Sequence, residues 1–441
     1  MDPLNRDNII AEITPSGRGG VSVIRISGPD TVKIVNKSFG LNLCQERHVY
    51  FLDHDIDEVL CVYYKAPRSY TGEDVCELFC HGNPTIVYEL IKHSVDTAGG
   101  EYRLRHAQRG EFTKRAYLNG KMDLLQAEAV LDVINASNVN IAKQKKKLLG
   151  GLFSKELHVI EEGLMELVSS CDAVLDFSDD DSLNADYDDI FTKANNINDK
   201  LDMLIASCST IVDVSLVPSI VIVGRPNVGK SSLFNKLLEY ERAIVHHNPG
   251  TTRDYIEEAV IIDGVELTIV DTAGLRNDPA CDIEKYGIDK VTKLLDVATI
   301  VLEVSDDDIF EQKGNNVVKV RNKIDTMKGL PTNNNVFHVS AISGAGIVAL
   351  KRHIFGLVKH KVLLDSHKEN KYLINNNIIN MLKEMHLAIQ ITIKAIAGKT
   401  PLDVVATLLR QNMGHIRRMT GEEGLDDKIL DTIFSRFCIG K

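Results

Sequence analysis

Ser219-Ile220-Val221-Ile222-Val223-Gly224-Arg225-Pro226-Asn227-Val228-Gly229-Lys230-Ser231-Ser232-Leu233-Phe234 is the stretch from which the chain is read. The first five residues form an apolar run suited to a buried strand, and the residues from Ser232 to Leu238 follow a helical pattern. Gly224 to Ser231 between them has the glycine and Lys-Ser spacing of a phosphate-binding loop, in the strand–loop–helix context such a loop requires. The glycines let backbone N–H groups and the helix N-terminus face a polyphosphate. Asn227, Val228, Gly229, Lys230, Ser231 and Ser232 therefore read as a nucleoside triphosphate cradle. In it Lys230 reaches the β- and γ-phosphates and the Ser231 hydroxyl holds Mg²⁺.

Working outward, four short motifs identify the base as guanine. Asp271-Thr272-Ala273-Gly274 ends an apolar run, where a carboxylate for Mg²⁺ and an N–H sensing the γ-phosphate belong. Asn322-Lys323-Ile324-Asp325 follows another strand-like run, and Asp325 can accept the paired N–H donors of guanine. Adenine lacks that donor pair, so an ATP would leave the carboxylate unmatched. Ser340-Ala341-Ile342 can support the base through backbone N–H groups, and Thr251-Thr252-Arg253-Asp254 lies where a moving segment could bring a threonine to Mg²⁺. Leu275 stands where Ras-like GTPases carry a water-orienting glutamine, and leucine cannot polarise water. In this respect the chain resembles the potassium-activated GTPases, whose phosphate loops carry an asparagine at the position of Asn227; a loop-capping asparagine is the alternative reading.

The 441 residues suggest about three domains. No apolar run approaches the roughly 18 residues of a membrane span, and the start carries neither a signal-peptide nor a transit pattern. Eight cysteines without CxxC pairing suit reduced thiols, so a cytoplasmic location is expected. A net charge of −11 argues against indiscriminate nucleic-acid binding, leaving any RNA contact to a local basic patch. Two candidates are Lys143 to Lys147 and the group Arg103, Arg105, Arg109, Lys114 and Arg115.

The expected architecture is multidomain. Residues 1–118 read as a small α/β domain, residues 216–356 as a doubly wound α/β P-loop domain, and residues 119–215 and 357–441 as two parts of one all-α domain into which the P-loop domain is inserted. Apolar positions from Leu149 to Leu175 predict one long amphipathic helix, and Ile197 to Ile211, including Cys208, a second. Asp172 to Asp189 carries eight aspartates and reads as a solvated turn rather than a metal cage. Asp263-Gly264 predicts a hairpin.

The two ends of the chain extend the match. Gly17-Arg18-Gly19-Gly20, Ile24-Arg25-Ile26-Ser27-Gly28, Tyr70-Thr71-Gly72-Glu73-Asp74, Glu77-Leu78-Phe79-Cys80-His81-Gly82, Arg109-Gly110-Glu111-Phe112-Thr113-Lys114-Arg115-Ala116 and the terminal Phe437-Cys438-Ile439-Gly440-Lys441 together resemble the MnmE/TrmE family of bacterial tRNA uridine-modification GTPases. The resemblance spans essentially the whole chain. It implies a folate-binding domain that dimerises, a helical domain and an inserted GTPase domain. It implies a potassium-activated GTP hydrolase working with an FAD-containing partner, as a heterotetramer, on carbon 5 of the wobble uridine (position 34) of certain tRNAs. The one-carbon unit would come from 5-formyltetrahydrofolate or methylenetetrahydrofolate.

Carried over by motif, the resemblance implies folate contacts at Arg25, Glu77, Lys121 and Lys441. It implies a K⁺ loop of Asn227 with His246, His247, Asn248, Pro249 and Gly250, the shell being completed by carbonyls of His246 and Asn248 and by Thr251. Mg²⁺ would be held by Ser231 and Thr252, the attacking water oriented by Glu284, and Arg253 and Arg276 would act as switch arginines. Cys438 matches a functional C-terminal cysteine; a buried small residue in the last helix is its alternative reading. The residues His246 to Pro249 are bulkier than the family loop, which backbone carbonyl ligation tolerates.

Two other classes compete with this reading. A ribosome-assembly GTPase acting only as an RNA-binding switch would carry an RNA-binding domain, and Gly421-Glu422-Glu423-Gly424 fits a GxxG clamp in letters alone, its acids repelling phosphate. A membrane-remodelling GTPase would carry a basic amphipathic helix or an apolar anchor, and no membrane association is expected.

Overall fold

The computed structural model describes residues 7–176, 187–210, 218–239, 256–262, 265–271, 294–295, 298–307, 309–312, 314, 316–327, 335–363, 371–423 and 426–441. In chain order the first elements are β1 (Asn8–Glu12), β2 (Ser22–Ser27), α1 (Thr31–Phe39), β3 (Val49–Asp53), β4 (Glu58–Tyr64), β5 (Val75–Cys80), α2 (Pro84–Ala98), β6 (Leu104–His106) and α3 (Glu111–Leu118). Four helices follow: α4 (Leu124–Ile134), α5 (Val139–Leu149), α6 (Leu152–Asp176) and α7 (Tyr187–Ala206). Then come β7 (Cys208–Thr210), β8 (Ser219–Val223), α8 (Lys230–Glu239), β9 (Ile256–Ile262), β10 (Val265–Asp271), β11 (Ile300–Ser305), β12 (Val317–Arg321), β13 (Phe337–His338) and α9 (Ile347–Leu363). The chain ends with β14 (Tyr372–Ile374), α10 (Asn376–Ala397), α11 (Leu402–Thr420) and α12 (Asp427–Phe434). The chain divides into two compact units, one comprising Met1–Leu131, Lys146–Asp202 and Asn380–Lys441, the other Asp132–Lys145 and Met203–Ile379.

In the first unit the strands form one sheet in the order β3-β4-β5-β2-β1-β6. Successive strand residues point to opposite faces, and the two faces differ. Ile24, Ile26, Cys61, Cys76 and Leu78 bury one face in a core with residues of α1 and α2, such as Ile34, Val35 and Leu90. The other face carries Arg25 directly opposite Glu77 in the β2–β5 register. The helices α6 and α11 pack lengthwise through buried Leu157, Ile160, Leu164, Leu409, Met413 and Ile416. The α12 segment brings Leu430, Phe434 and Phe437 against Leu124, Ala127 and Val130 of α4.

The second unit holds a sheet in the order β13-β12-β11-β8-β10-β9, parallel throughout except for the antiparallel edge strand β9. Alternate residues of β8 go to separate cores. Ile220 and Ile222 join Leu233, Phe234 and Leu350 on one side, and Val221 and Val223 join Val270 and Ala298 on the other. A mixed sheet buried on both faces, between helical stretches, is the arrangement expected of an inserted α/β domain. The pair Val265 and Ile262 closes the β9–β10 register around Asp263-Gly264, which itself lies outside the described residues.

Several expectations need correction. The long helix read from Leu149 to Leu175 is α6 and begins three residues later, at Leu152; Leu149 is the last residue of α5, with Gly151 at φ 72° between the two. The glycine at a positive φ stops the first helix at no steric cost. Cys208 is in a strand rather than a helix, since β7 pairs in parallel with β14 over Tyr372 to Ile374. That partner lies far away in sequence, and local periodicity carries no trace of it. Cys438 is neither buried nor helical; α12 stops at Phe434 and the thiol is exposed.

Candidate functional site

Nucleotide site. Gly224 at φ 149° and Gly229 at φ 90° flank the phosphate loop. A Cβ on Gly224 would collide with the Val304 carbonyl, and one on Gly229 with the Asn322 amide, so the loop's path requires glycine at both ends. Lys230, 9% exposed, donates from Nζ to the Gly224 and Arg225 carbonyls at 3.1 and 2.9 Å, bent back over its own loop. Ser231 Oγ donates to Asp271 Oδ2 at 2.7 Å, joining the first helical turn to the end of β10. A hydroxyl and a buried carboxylate so placed are the donor set a hard divalent cation takes.

Asn322, buried, ties three loops together. Its Nδ2 donates to the Val228 carbonyl at 3.0 Å, and its Oδ1 accepts from Ala341 N at 3.1 Å. Lys323 follows at φ 64°, and Asp325 is exposed at the same loop. Ser340 and Ala341 are buried while Ile342 is 80% exposed. Val228 is buried, Gly229 half-buried, and Ser232 exposed. Asn227 sits at φ 62° with its side chain exposed and no hydrogen bond to the described residues. His246, His247, Asn248, Pro249, Gly250, Thr251, Thr252, Arg253, Thr272, Ala273, Gly274, Leu275, Arg276 and Glu284 lie outside the described residues.

Arg25 site. On the face of the first sheet away from the α1–α2 core, Arg25 donates to Glu77 Oε1 from Nε at 3.0 Å and from Nη2 at 2.7 Å. Tyr70 and Phe112 pack on the guanidinium with ring centroids 4.8 and 5.4 Å away. The Nη1 of Arg25 is buried without a hydrogen-bond partner among the described residues. A buried guanidinium N–H is costly unpaired, and an acceptor on a bound ligand would satisfy it. The C-terminal tail closes this region. Gly110 N donates to the Cys438 carbonyl and Phe112 N to the Lys441 carbonyl, at 3.3 and 3.2 Å, and Arg109 bridges to Ile439. Burial, then the Arg25 charge, holds the Lys441 amine below its ordinary pKa, with Glu77 pulling the other way. Burial and neighbouring Glu77 push the Tyr64 phenol up. Lys121 Nζ donates to the Pro67 carbonyl at 2.8 Å, at the base of the loop that carries Tyr70.

Arg25, Glu77 and Lys441 therefore meet, from the two ends of the chain, with Lys121 on the adjoining loop. Tyr64, Tyr70 and Phe112 were not singled out from the sequence. Tyr70 and Phe112 lie inside quoted motifs, but nothing local says which ring will face Arg25.

One proposed basic patch is partly paired. Arg105 pairs with Asp7 and Glu111, Arg115 with Asp7, Glu73 and Glu111, and Lys114 with Asp431. Lys145 is 2% exposed and bound to Asp132 at 2.6 Å, so only Lys143, Lys146 and Lys147 of its run are exposed.

The family described as "GTP-binding protein TrmE N-terminus" matches residues 8–121, and that described as "MnmE helical domain" matches residues 124–438. The tRNA modification GTPase MnmE of Thermotoga petrophila is 33% identical over 460 residues, covering 99% of this chain and 100% of that one. Its counterpart from Fervidobacterium nodosum is 34% identical over 465 residues, covering 100% of this chain and 99% of that one. The one from Francisella tularensis subsp. holarctica is 36% identical over 460 residues, covering 99% of each.

Proposed function

The chain belongs to the MnmE family of tRNA modification GTPases, and from that premise we propose how its two sites divide the work. It hydrolyses GTP and acts in the modification of tRNA wobble uridines. The finer reading is a potassium-activated homodimer that, with an FAD-containing partner, elaborates carbon 5 of uridine 34 using a one-carbon unit from 5-formyl- or methylenetetrahydrofolate.

At the nucleotide site, Lys230 leaves the Gly224 and Arg225 carbonyls for the phosphate oxygens, and Asp325 accepts from guanine while Ala341 and Ile342 frame the base. Ser231, with Asp271 beside it and Thr252, would hold Mg²⁺, which supplies charge neutralisation at the phosphates. Asn227, the carbonyls of His246 and Asn248, and Thr251 would hold K⁺, which supplies the positive charge an arginine finger gives elsewhere. The exposed Asn227, without a hydrogen bond to the described residues, supports this assignment over a loop-capping role. Glu284 orients water in place of Leu275, with Arg253 and Arg276 in support.

At the Arg25 site, Glu77 accepts from pterin N–H groups, while Arg25, Lys121 and Lys441 meet carbonyl and carboxylate oxygens. The observation that carries this part is the buried, unpartnered Nη1 of Arg25. Cys438, exposed in the same C-terminal tail as Lys441, would act at this site. Dimerisation is supported by Val49, Phe51 and Leu60, exposed by 55, 62 and 43% on the face that carries Arg25 and Glu77.

Turnover of GTP in KCl against NaCl tests the first part: activation by K⁺ is expected, and equal rates would remove the monovalent cation from the mechanism. Titration with 5-formyltetrahydrofolate tests the second. Binding to the full chain that is lost in Arg25→Ala is expected; binding indifferent to that change would move the folate elsewhere.

A further inference from the structure

The β11–β12 crossover, residues 306–316, is short for a parallel connection, and none of its described residues is helical. The loop is nevertheless ordered from beneath. Buried Glu303 accepts from Glu311 N and Gln312 N at 2.5 and 3.0 Å, and Asp307 Oδ1 accepts from Ser305 Oγ at 2.6 Å and from Ile309 N at 3.2 Å. So anchored, it presents consecutive carboxylates to two different loops. Asp306 Oδ2 meets Lys323 Nζ at 2.8 Å, on the guanine-reading motif. Asp307 Oδ2 and Glu311 Oε1 take Nη1 and Nη2 of Arg225 at 3.2 and 3.3 Å, on the phosphate loop.

Arg225 matters through its main chain. Its carbonyl is one of the two that hold Lys230 Nζ, so fixing the Arg225 side chain fixes the backbone beneath that lysine. Each ion pair is exposed, and a single such pair contributes little. Here two carboxylates take one guanidinium fork, and a buried carboxylate orders the loop that carries them, which is the situation in which exposed pairs do count.

We propose that Asp306, Asp307 and Glu311, held by Glu303 and Ser305, form a brace that sets the spacing of the phosphate loop and the guanine-reading loop, and thereby the rate at which nucleotide leaves. Arg225, Asp306, Asp307 and Glu311 are its positioning residues. They touch the loops and not the reacting atoms.

The test is the dissociation rate of a fluorescent GDP from the full-length protein. Replacing both acids, Asp307→Asn with Glu311→Gln, should speed release about fivefold, a factor equivalent to the upper range for an exposed pair. Arg225→Gln should do the same alone, and the triple variant should be no faster than either, because all remove one interaction. Melting temperatures should stay unchanged, and high ionic strength set with choline chloride should erase the difference between wild type and variants. Unchanged release in the double variant, additive effects with Arg225→Gln, or tighter GDP binding by the freed arginine would each overturn the proposal. A variant that loses melting temperature and speeds release independently of salt would show a folding role instead, and would overturn it too.

Discussion

At the scale of single residues, much of the chemistry is ion pairing under partial burial. The Arg25 and Glu77 side chains are 9 and 14% exposed, so neither is well served by water once its partner goes. Glu77→Ala should destabilise the N-terminal sheet by about 3–5 kcal/mol, the cost of stranding a buried charge. Chemical denaturation followed by circular dichroism checks this. Glu111 is governed by the same balance. Burial pushes its carboxyl up, but Arg105, the Gln108 N–H and Arg115 outweigh it and hold the pKa below the ordinary 4.5. A depressed folded pKa gives stability that is present above the unfolded value and lost as pH falls through the folded one. Melting temperature should therefore drop steeply below pH 4.5, and Glu111→Gln should flatten that part of the profile while lowering the plateau above it. A profile of the same shape in the variant would exclude Glu111 as the group responsible.

At the scale of elements, the C-terminal tail is held by backbone rather than by its own helix. Gly110 at φ 67° lies against Phe434, and a Cβ there would run into the Phe434 carbonyl. Gly110→Val should loosen the segment from Phe434 to Lys441 and weaken folate binding several-fold, leaving GTP turnover intact, because the altered contact belongs to the Arg25 side of the protein. Limited proteolysis near the C-terminus, alongside folate titration and GTPase assay, separates these effects. Elements also show where local reading stops. The helical spacing of Leu152 to Cys171 was legible because one face of α6 is buried along its length. Cys208 continued the spacing of α7, yet it joins a strand because Tyr372 supplies a partner more than a hundred residues on.

At the scale of the whole molecule, a net charge of −11 leaves few places for RNA, and pairing takes Arg105, Lys114, Arg115 and Lys145 out of the candidates. Lys143, Lys146 and Lys147 are the exposed members of the Lys143–Lys147 run; of the other group Arg103 and Arg109 are exposed. No described helix is long and apolar enough to cross a membrane. The exposed apolar residues of β3 and β4 bear on assembly. Phe51→Asp with Leu60→Asp should convert a dimer to monomers in sedimentation, since two buried carboxylates at the interface would be uncompensated. A double variant that still sediments as a dimer would place the interface elsewhere.

The sequence alone determined that the chain holds a guanine nucleotide and belongs with the tRNA modification GTPases. Phosphate and base are read by short backbone segments at strand ends, such as Gly224 to Ser231 and Asn322 to Asp325, whose chemistry is written in consecutive residues. Only the tertiary structure decided which charges are spent and which remain. Arg105 and Arg115 look alike in sequence to Arg25, but Asp7, Glu73 and Glu111 neutralise them, while the Nη1 of Arg25 has no partner among the described residues near Lys441. Ion pairing depends on distance in space, and residues at opposite ends of the chain become neighbours only when the sheet and tail close around them.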